Sequence, residues 1–159
     1  MASTLSSATM TVRIVESIKL NGTEQGAVNT KTISSIAEIS KRIITVTVTE
    51  STIATFSSAV ASAGHYVAAD VRYMRFTNKD DTNFITLTFR NQDNDEAAIK
   101  LDAGQSFIWN ADNNGGLVDV LNATQDADAA SDTALGDLTN IQADANTGSC
   151  DLEMLIASV

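Results

Sequence analysis

The feature that most constrains this chain is the alternation Ile85-Thr86-Leu87-Thr88-Phe89, set between the polar runs Asn78–Asn83 and Asn91–Glu96. Successive side chains of an extended chain point to opposite faces. Ile85, Leu87 and Phe89 therefore form one apolar row, and Thr86, Thr88 and Arg90 form the other. That period belongs to a half-buried antiparallel strand, and the β-branched and aromatic content agrees with it. The flanks, Val71–Trp109, read as three or four consecutive short strands joined by tight turns. A central meander is expected there.

The rest of the chain carries the same signal in shorter pieces. In Thr11–Leu20 the residues Val12, Ile14, Ile18 and Leu20 share a face, interrupted by Glu16. Asn21-Gly22 follows at once, and both residues tolerate positive φ, which predicts a hairpin into the next segment. Thr23–Ser40 reads as two short strands around Ser34-Ser35, although Ile33, Ile36 and Ile39 recur at threes. Ile43–Thr49 turns Ile44, Val46 and Val48 inward, Glu50-Ser51 makes a turn, and Thr52–Phe56 is a further strand. Ser57–Asp70 is a loop or one helical turn. Ala111–Gly116 is the densest turn cluster, and Leu117–Gly136 reads as a solvated loop with a short helix at Ala129–Leu135. Leu138–Ala143 and Cys150–Ala157 are the last two strands, with Cys150, Leu152, Met154 and Ile156 as the inward row.

Eight to ten short strands, close turns and no long amphipathic helix predict an all-β chain: a single-domain antiparallel β-sandwich or jelly roll with short polar turns. The 10–15-residue crossover helices of a doubly wound α/β fold are missing. Residues 10–159 form the expected domain. Residues 1–9 are read as a flexible N-terminal arm, or as a segment that orders only against a neighbour. With no proline in 159 residues, glycine and the Asn/Asp clusters must make nearly every turn.

Charge narrows the partners. The net charge of −10 comes from 20 acidic and 10 basic residues, and only Lys41-Arg42 stand together. Phosphate neutralisation needs clustered cations, so no nucleic-acid partner is expected. No apolar run reaches membrane-spanning length and no signal peptide is recognised, so no membrane partner is expected and synthesis is assigned to the cytoplasm. One cysteine excludes an intrachain disulfide framework and a Cys-rich zinc site.

No catalytic set, cofactor site or metal site is assigned. His65, the single histidine, stands in Ala63-Gly64-His65-Tyr66, read as a surface loop, with no Gly-x-Ser-x-Gly elbow in the chain. Asn110-x-Asp112-x-Asn114-Gly115 matches the opening of a calcium loop, but its twelfth position is Leu121 and no helix pair flanks it. Asp80-Asp81 and Asp93–Glu96 read as solvated turns. Cys150 falls on an apolar row and reads as a buried small hydrophobe. Trp109, with Phe107, is expected in the core or at a subunit contact.

The central stretch resembles small virion proteins of tailed, particularly marine, bacteriophages. The resemblance lies in Arg72-Tyr73-Met74-Arg75-Phe76-Thr77-Asn78, the Asp/Thr/Asn turn and Ile-x-Leu-x-Phe strand, and Leu101-x-Ala103-Gly104-x-Ser106-Phe107. It continues in Leu138–Ala143 and Asp151–Ala157, and so covers roughly the C-terminal two thirds, with a weaker likeness over Thr45–Phe56. It implies a non-enzymatic structural protein, a capsid decoration (cement) protein on the particle exterior. The expected partners are the major capsid protein or other virion proteins, with a homo-oligomer as the working state. A tail, head–tail connector or fibre-associated component is the alternative. A carbohydrate-binding β-sandwich, stacking sugars on Trp109, Tyr66 or Tyr73, is the alternative from another class.

Overall fold

The alternating rows of the sequence become two sheets packed face to face. The structure is a computed structural model that describes residues 6–92, 94–110 and 138–159. In chain order the strands are β1 (Ala8–Val15), β2 (Lys19–Leu20), β3 (Thr23–Glu24), β4 (Val28–Ile36) and β5 (Glu38–Val46). They continue with β6 (Ser51–Ser57), β7 (His65–Val67), a 3-10 turn at Ala68–Asp70, β8 (Val71–Asn78) and β9 (Ile85–Asn91). The series ends with β10 (Glu96–Leu101), β11 (Ser106–Asn110), β12 (Leu138–Ala145) and β13 (Cys150–Ser158). A five-stranded sheet runs β10-β9-β12-β6-β7 and a four-stranded sheet runs β11-β8-β13-β5. The all-β, sandwich-like single domain expected from the sequence is the fold observed.

The core is made where the inner rows meet. Ile85, Leu87 and Phe89 of β9 and Ile141, Ala143 and Ala145 of β12 come from one sheet. Cys150, Leu152, Met154 and Ile156 of β13, with Met74 and Phe76 of β8, come from the other, and all of these are buried. The inward row of β13 is the one read from the sequence. Trp109 joins this core, and Phe107 packs against it with its ring edge-on to Phe89 at 5.4 Å between centroids.

The four strands of Val71–Asn110 do not form a meander. β8 and β11 pair in the four-stranded sheet while β9 and β10 pair in the five-stranded one, so the chain crosses the sandwich twice. The reason is burial. A flat meander would leave all four apolar rows on one uncovered face, whereas crossing brings the rows of β8 and β9 to opposite sides of one core. Asn78 sits at the first crossing, fully buried. Its Nδ2 donates to the carbonyls of Asn83 at 2.8 Å and Leu101 at 3.1 Å, and its Oδ1 accepts the Asp80 N–H at 3.0 Å. One side chain therefore ties the end of β8 to the opposing sheet.

β1 and β4 form a separate two-stranded ribbon whose base adds a third layer. Val12, Ile33 and Ile36 pack on Tyr73 and Ala157, which project from the outward face of the four-stranded sheet. Strands β8 and β13 are thus covered on both faces at Tyr73 and Ala157. Ile33 and Ile36 are three apart yet both buried, and the cause is a bulge. Ala8 pairs with Ile36 and Met10 with Ile33, so β4 holds one extra residue there, and Ser35 takes φ +63°. The spacing at threes is a strand irregularity and not a helical turn.

Other boundaries move as well. The break after β4 falls at Ala37 and not at Ser34-Ser35. β5 ends at Val46, so Val48, expected inward, is 59% exposed. Ala8 and Thr9, expected in the arm, open β1. Ser57–Asp70 contains β7, which pairs parallel with β6 through Thr55↔His65 and Phe56↔Tyr66. The expectations for residues 1–5, Ala111–Gly116 and Leu117–Gly136, the short helix at Ala129–Leu135 included, lie outside the described residues.

Two substitutions separate the layers. Leu87→Ala should lower unfolding stability by about 2–5 kcal/mol in urea titration, the range for truncating a buried leucine. Leu20→Ala, at an exposed ribbon position, should leave the urea midpoint of the sandwich unchanged.

Candidate functional site: a projecting β-ribbon

The hairpin predicted at Asn21-Gly22 forms, with φ +50° and +82° at its two turn residues. It is longer than the sequence suggested. Lys19 pairs with Glu24 and Leu20 with Thr23, in the same register that pairs Val15 with Val28 and Met10 with Ile33. β1 to β4 are therefore one hairpin, interrupted only around Ser17 and Gly26. Every residue from Arg13 to Thr30 is exposed. At ~3.3 Å per residue the exposed strands reach about 25 Å beyond the point where Val12 meets the body.

The interruption is built, not frayed. Glu16 and Ala27 exchange backbone hydrogen bonds at 2.8 and 3.1 Å, and Gln25 N–H donates to the Ile18 carbonyl at 2.8 Å. The Glu24 carboxylate accepts the N–H groups of Gly26 at 3.0 Å and Ile18 at 3.3 Å, taking the place of a ladder bond. A Cβ at Gly26 would stand 2.1 Å from the Glu16 carbonyl oxygen, so only glycine fits this close approach.

The ribbon carries apolar side chains into water. Ile14, Val15, Ile18, Leu20 and Val28 are 42–60% exposed and make up half of the large exposed hydrophobics of the described chain. Ile14, Ile18 and Leu20 stand at alternate positions in step with Val12, on the face that packs against the body further back. A cleft of about 130 Å³, lined by Val12, Ile14, Asn29, Thr30 and Lys31, lies at that junction. A two-stranded hairpin is marginal on its own in water, and contiguous exposed apolar surface marks a contact site.

The other candidates are structural. His65 does not lie in a loop: it opens β7 and lines a groove of about 410 Å³ between β5 and β6 with Arg42, Thr52 and Gly64. Its imidazole has no hydrogen-bonded partner among the described residues, so nothing orients it as a base. Arg42 donates from Nη2 to the Ile53 carbonyl at 3.2 Å, bridging the two sheets. Trp109, Tyr66 and Tyr73 are all buried, at 4–6% exposure, and offer no sugar-stacking platform. The buried Tyr66 hydroxyl is hydrogen-bonded to Ser40. Cys150 is buried, and burial followed by the Asp80 carboxylate pushes its thiol up, away from the nucleophilic thiolate.

The polar loops beside β9 are scaffolding. The Asp80 carboxylate accepts the N–H groups of Asn83 at 2.6 Å and Thr82 at 2.8 Å, and these bonds hold its carboxyl below the usual range. Asn91 Oδ1 accepts the Asp95 N–H at 2.8 Å. Asp93 and the calcium-like run Asn110–Gly115 beyond the backbone of Asn110 lie outside the described residues. Among the described residues no cluster of three or more His, Cys, Asp or Glu groups could hold a metal, and no helix is long and apolar enough to cross a membrane. On the outward face of the four-stranded sheet, Glu153 pairs with Arg75 and with Lys41 at 3.6 Å. The hydrogen bond from Arg75 leads in holding its carboxyl low.

The sequence singled out Asn21-Gly22 but not the exposed ribbon that this turn closes. The available signal was the run of apolar residues at alternate positions flanking a two-residue turn, with no third strand nearby to cover them. Comparison with protein-family models, curated proteins and solved structures finds no match to this chain.

Two measurements check this account. A carboxyl held low in the folded state stabilises at pH values above the unfolded-state pKa of about 4 and stops doing so as pH falls through its folded value. Asp80→Asn keeps the acceptor oxygen but removes that titration, so its urea midpoint should fall less than that of the wild type between neutral pH and pH 3. Asp144 has the opposite sign, because burial and then the Glu50 charge raise its carboxyl; Asp144→Asn should stabilise at neutral pH. Separately, Gly26→Ala should speed proteolytic cleavage within Arg13–Thr30 and leave the thermal unfolding of the sandwich in place.

Proposed function

We propose that this chain is a non-enzymatic structural protein of a tailed-phage particle, a decoration protein bound outside the major capsid lattice. The observation that carries the reading is the ribbon: a rigid sandwich holds out a hairpin whose apolar side chains have no use in an isolated molecule. Fully burying a Leu, Ile or Val side chain contributes about 1.5–3 kcal/mol. Five that are about half exposed therefore hold back roughly 4–7 kcal/mol for a contact. Association entropy offsets part of that, which suits an element that binds weakly alone and firmly across many lattice positions. Its effect would be added interface across capsid subunit junctions, stabilising the shell against internal pressure.

Two further features support the reading. The resemblance to virion proteins runs through β8, β9, β11, β12 and β13, the strands that build the core. The net charge of −10 keeps such a surface from competing for packaged DNA.

Copy number per purified virion is the test. Hundreds of copies released by mild denaturant support decoration. Six or twelve copies would replace it with a connector or tail component. Absence from the virion would overturn the virion reading altogether.

A further inference from the structure

The ribbon uses one face in two ways. Near the body, Val12 and Ile33 are buried on Tyr73 and Ala157 of the four-stranded sheet. Farther out, Ile14, Ile18 and Leu20 continue the same alternation but remain exposed. The outward face of that sheet is equally unfinished. Its edge strand β5 pairs only with β13, and it presents Ile39 and Ile43 at 59% and 62% exposure on either side of Lys41. In the pairing register Ile39 stands opposite Ala157, a residue the ribbon base already covers. The surface that seats the inner ribbon thus runs on along β5, where no other described strand covers it.

We infer that the outer half of the ribbon docks on the β5 side of the four-stranded sheet of a second copy of this chain. There Ile14, Ile18 and Leu20 meet Ile39 and Ile43. This rests on the assembly reading above and names the ribbon's occupant as a neighbouring copy, so that ribbons link the copies held on the lattice.

Charge selects a second copy. Ala8–Ile36 carries Arg13, Lys19 and Lys31 against Glu16 and Glu24, a net of +1. The described residues outside it hold 11 acidic and 7 basic side chains, a net of −4. Two such bodies repel when they approach body to body. Among the described residues the ribbon is a long projecting segment whose net charge opposes that of the body, and it carries exposed apolar side chains. Edge strands with free backbone groups are standard sites for such additions. The contact joins unlike surfaces, so it closes either as a mutual exchange between two chains or as a ring.

Sedimentation of the intact chain tests it. Association at micromolar concentration is expected, and Ile18→Asp/Leu20→Asp and, separately, Ile43→Asp should each weaken it by about tenfold or more. All three positions are exposed, so unchanged thermal unfolding serves as the folding control. Mixing Leu20→Cys with Ile43→Cys under oxidising conditions should give a disulfide-linked pair that neither variant forms alone, Cys150 being buried and silent. A wild-type monomer at roughly 100 μM, or an oligomer indifferent to both sets of substitutions, overturns the inference. Hundreds of copies per virion from a chain that stays monomeric would overturn the second-copy assignment alone. An oligomer absent from virions would overturn the virion reading alone.

Discussion

The structure depends on one apolar cluster between the sheets, to which the row Ile85–Leu87–Phe89 of β9 and the row Leu152–Met154–Ile156 of β13 both belong. These side chains come from opposite sheets and are essentially solvent-free. Apolar burial is the dominant favourable term in folding, and among the described residues no disulfide, metal cluster or helix layer supplements it. Each remaining element is placed by its relation to these rows. β8 and β12 extend them within their sheets, Trp109 and Phe107 fill one flank, and Arg42 spans the opening between β5 and β6.

The polar groups serve that cluster. Asn78 is buried in the middle of an apolar sandwich, and it is tolerated because its amide donates to Asn83 and Leu101 and accepts from Asp80. The acidic loop that follows is then closed on itself by Asp80. This explains why the polar runs beside β9, which invite a reading as binding loops, hold their own backbone in place. Among the described residues, half of the large exposed hydrophobics lie on the ribbon, and Ile39 and Ile43 lie along β5.

Much of the strand content was legible because the inner faces are apolar and the outer faces carry Thr, Asn and charge. The rows of β9 and β13 and the Asn21-Gly22 turn could be read directly. Three features were not. Ile33, Ile36 and Ile39 at threes concealed a bulge, since Ser35 in the left-handed region brings Ile33 and Ile36 to one face and leaves Ile39 on the surface. Val48 continues an alternation that the chain itself abandons at Val46. Ile14, Ile18 and Leu20 have the pattern of buried strand residues and are exposed, because the ribbon runs past the edge of the sheet that buries Val12.

The sequence by itself determined that the chain is built of short strands, which rows of β9 and β13 face inward and where the tightest turn falls, because period and turn chemistry act between near neighbours. Only the tertiary structure decided that β8 and β9 belong to opposing sheets, that β7 lies parallel to β6, and that the first hairpin leaves the body as a ribbon. Those outcomes rest on which apolar rows meet across the core, a competition among distant segments that local alternation does not encode. The opening strand Ile85–Phe89 has one face assigned by its own residues. Its place between β10 and β12 comes in part from β12, more than forty residues further along the chain.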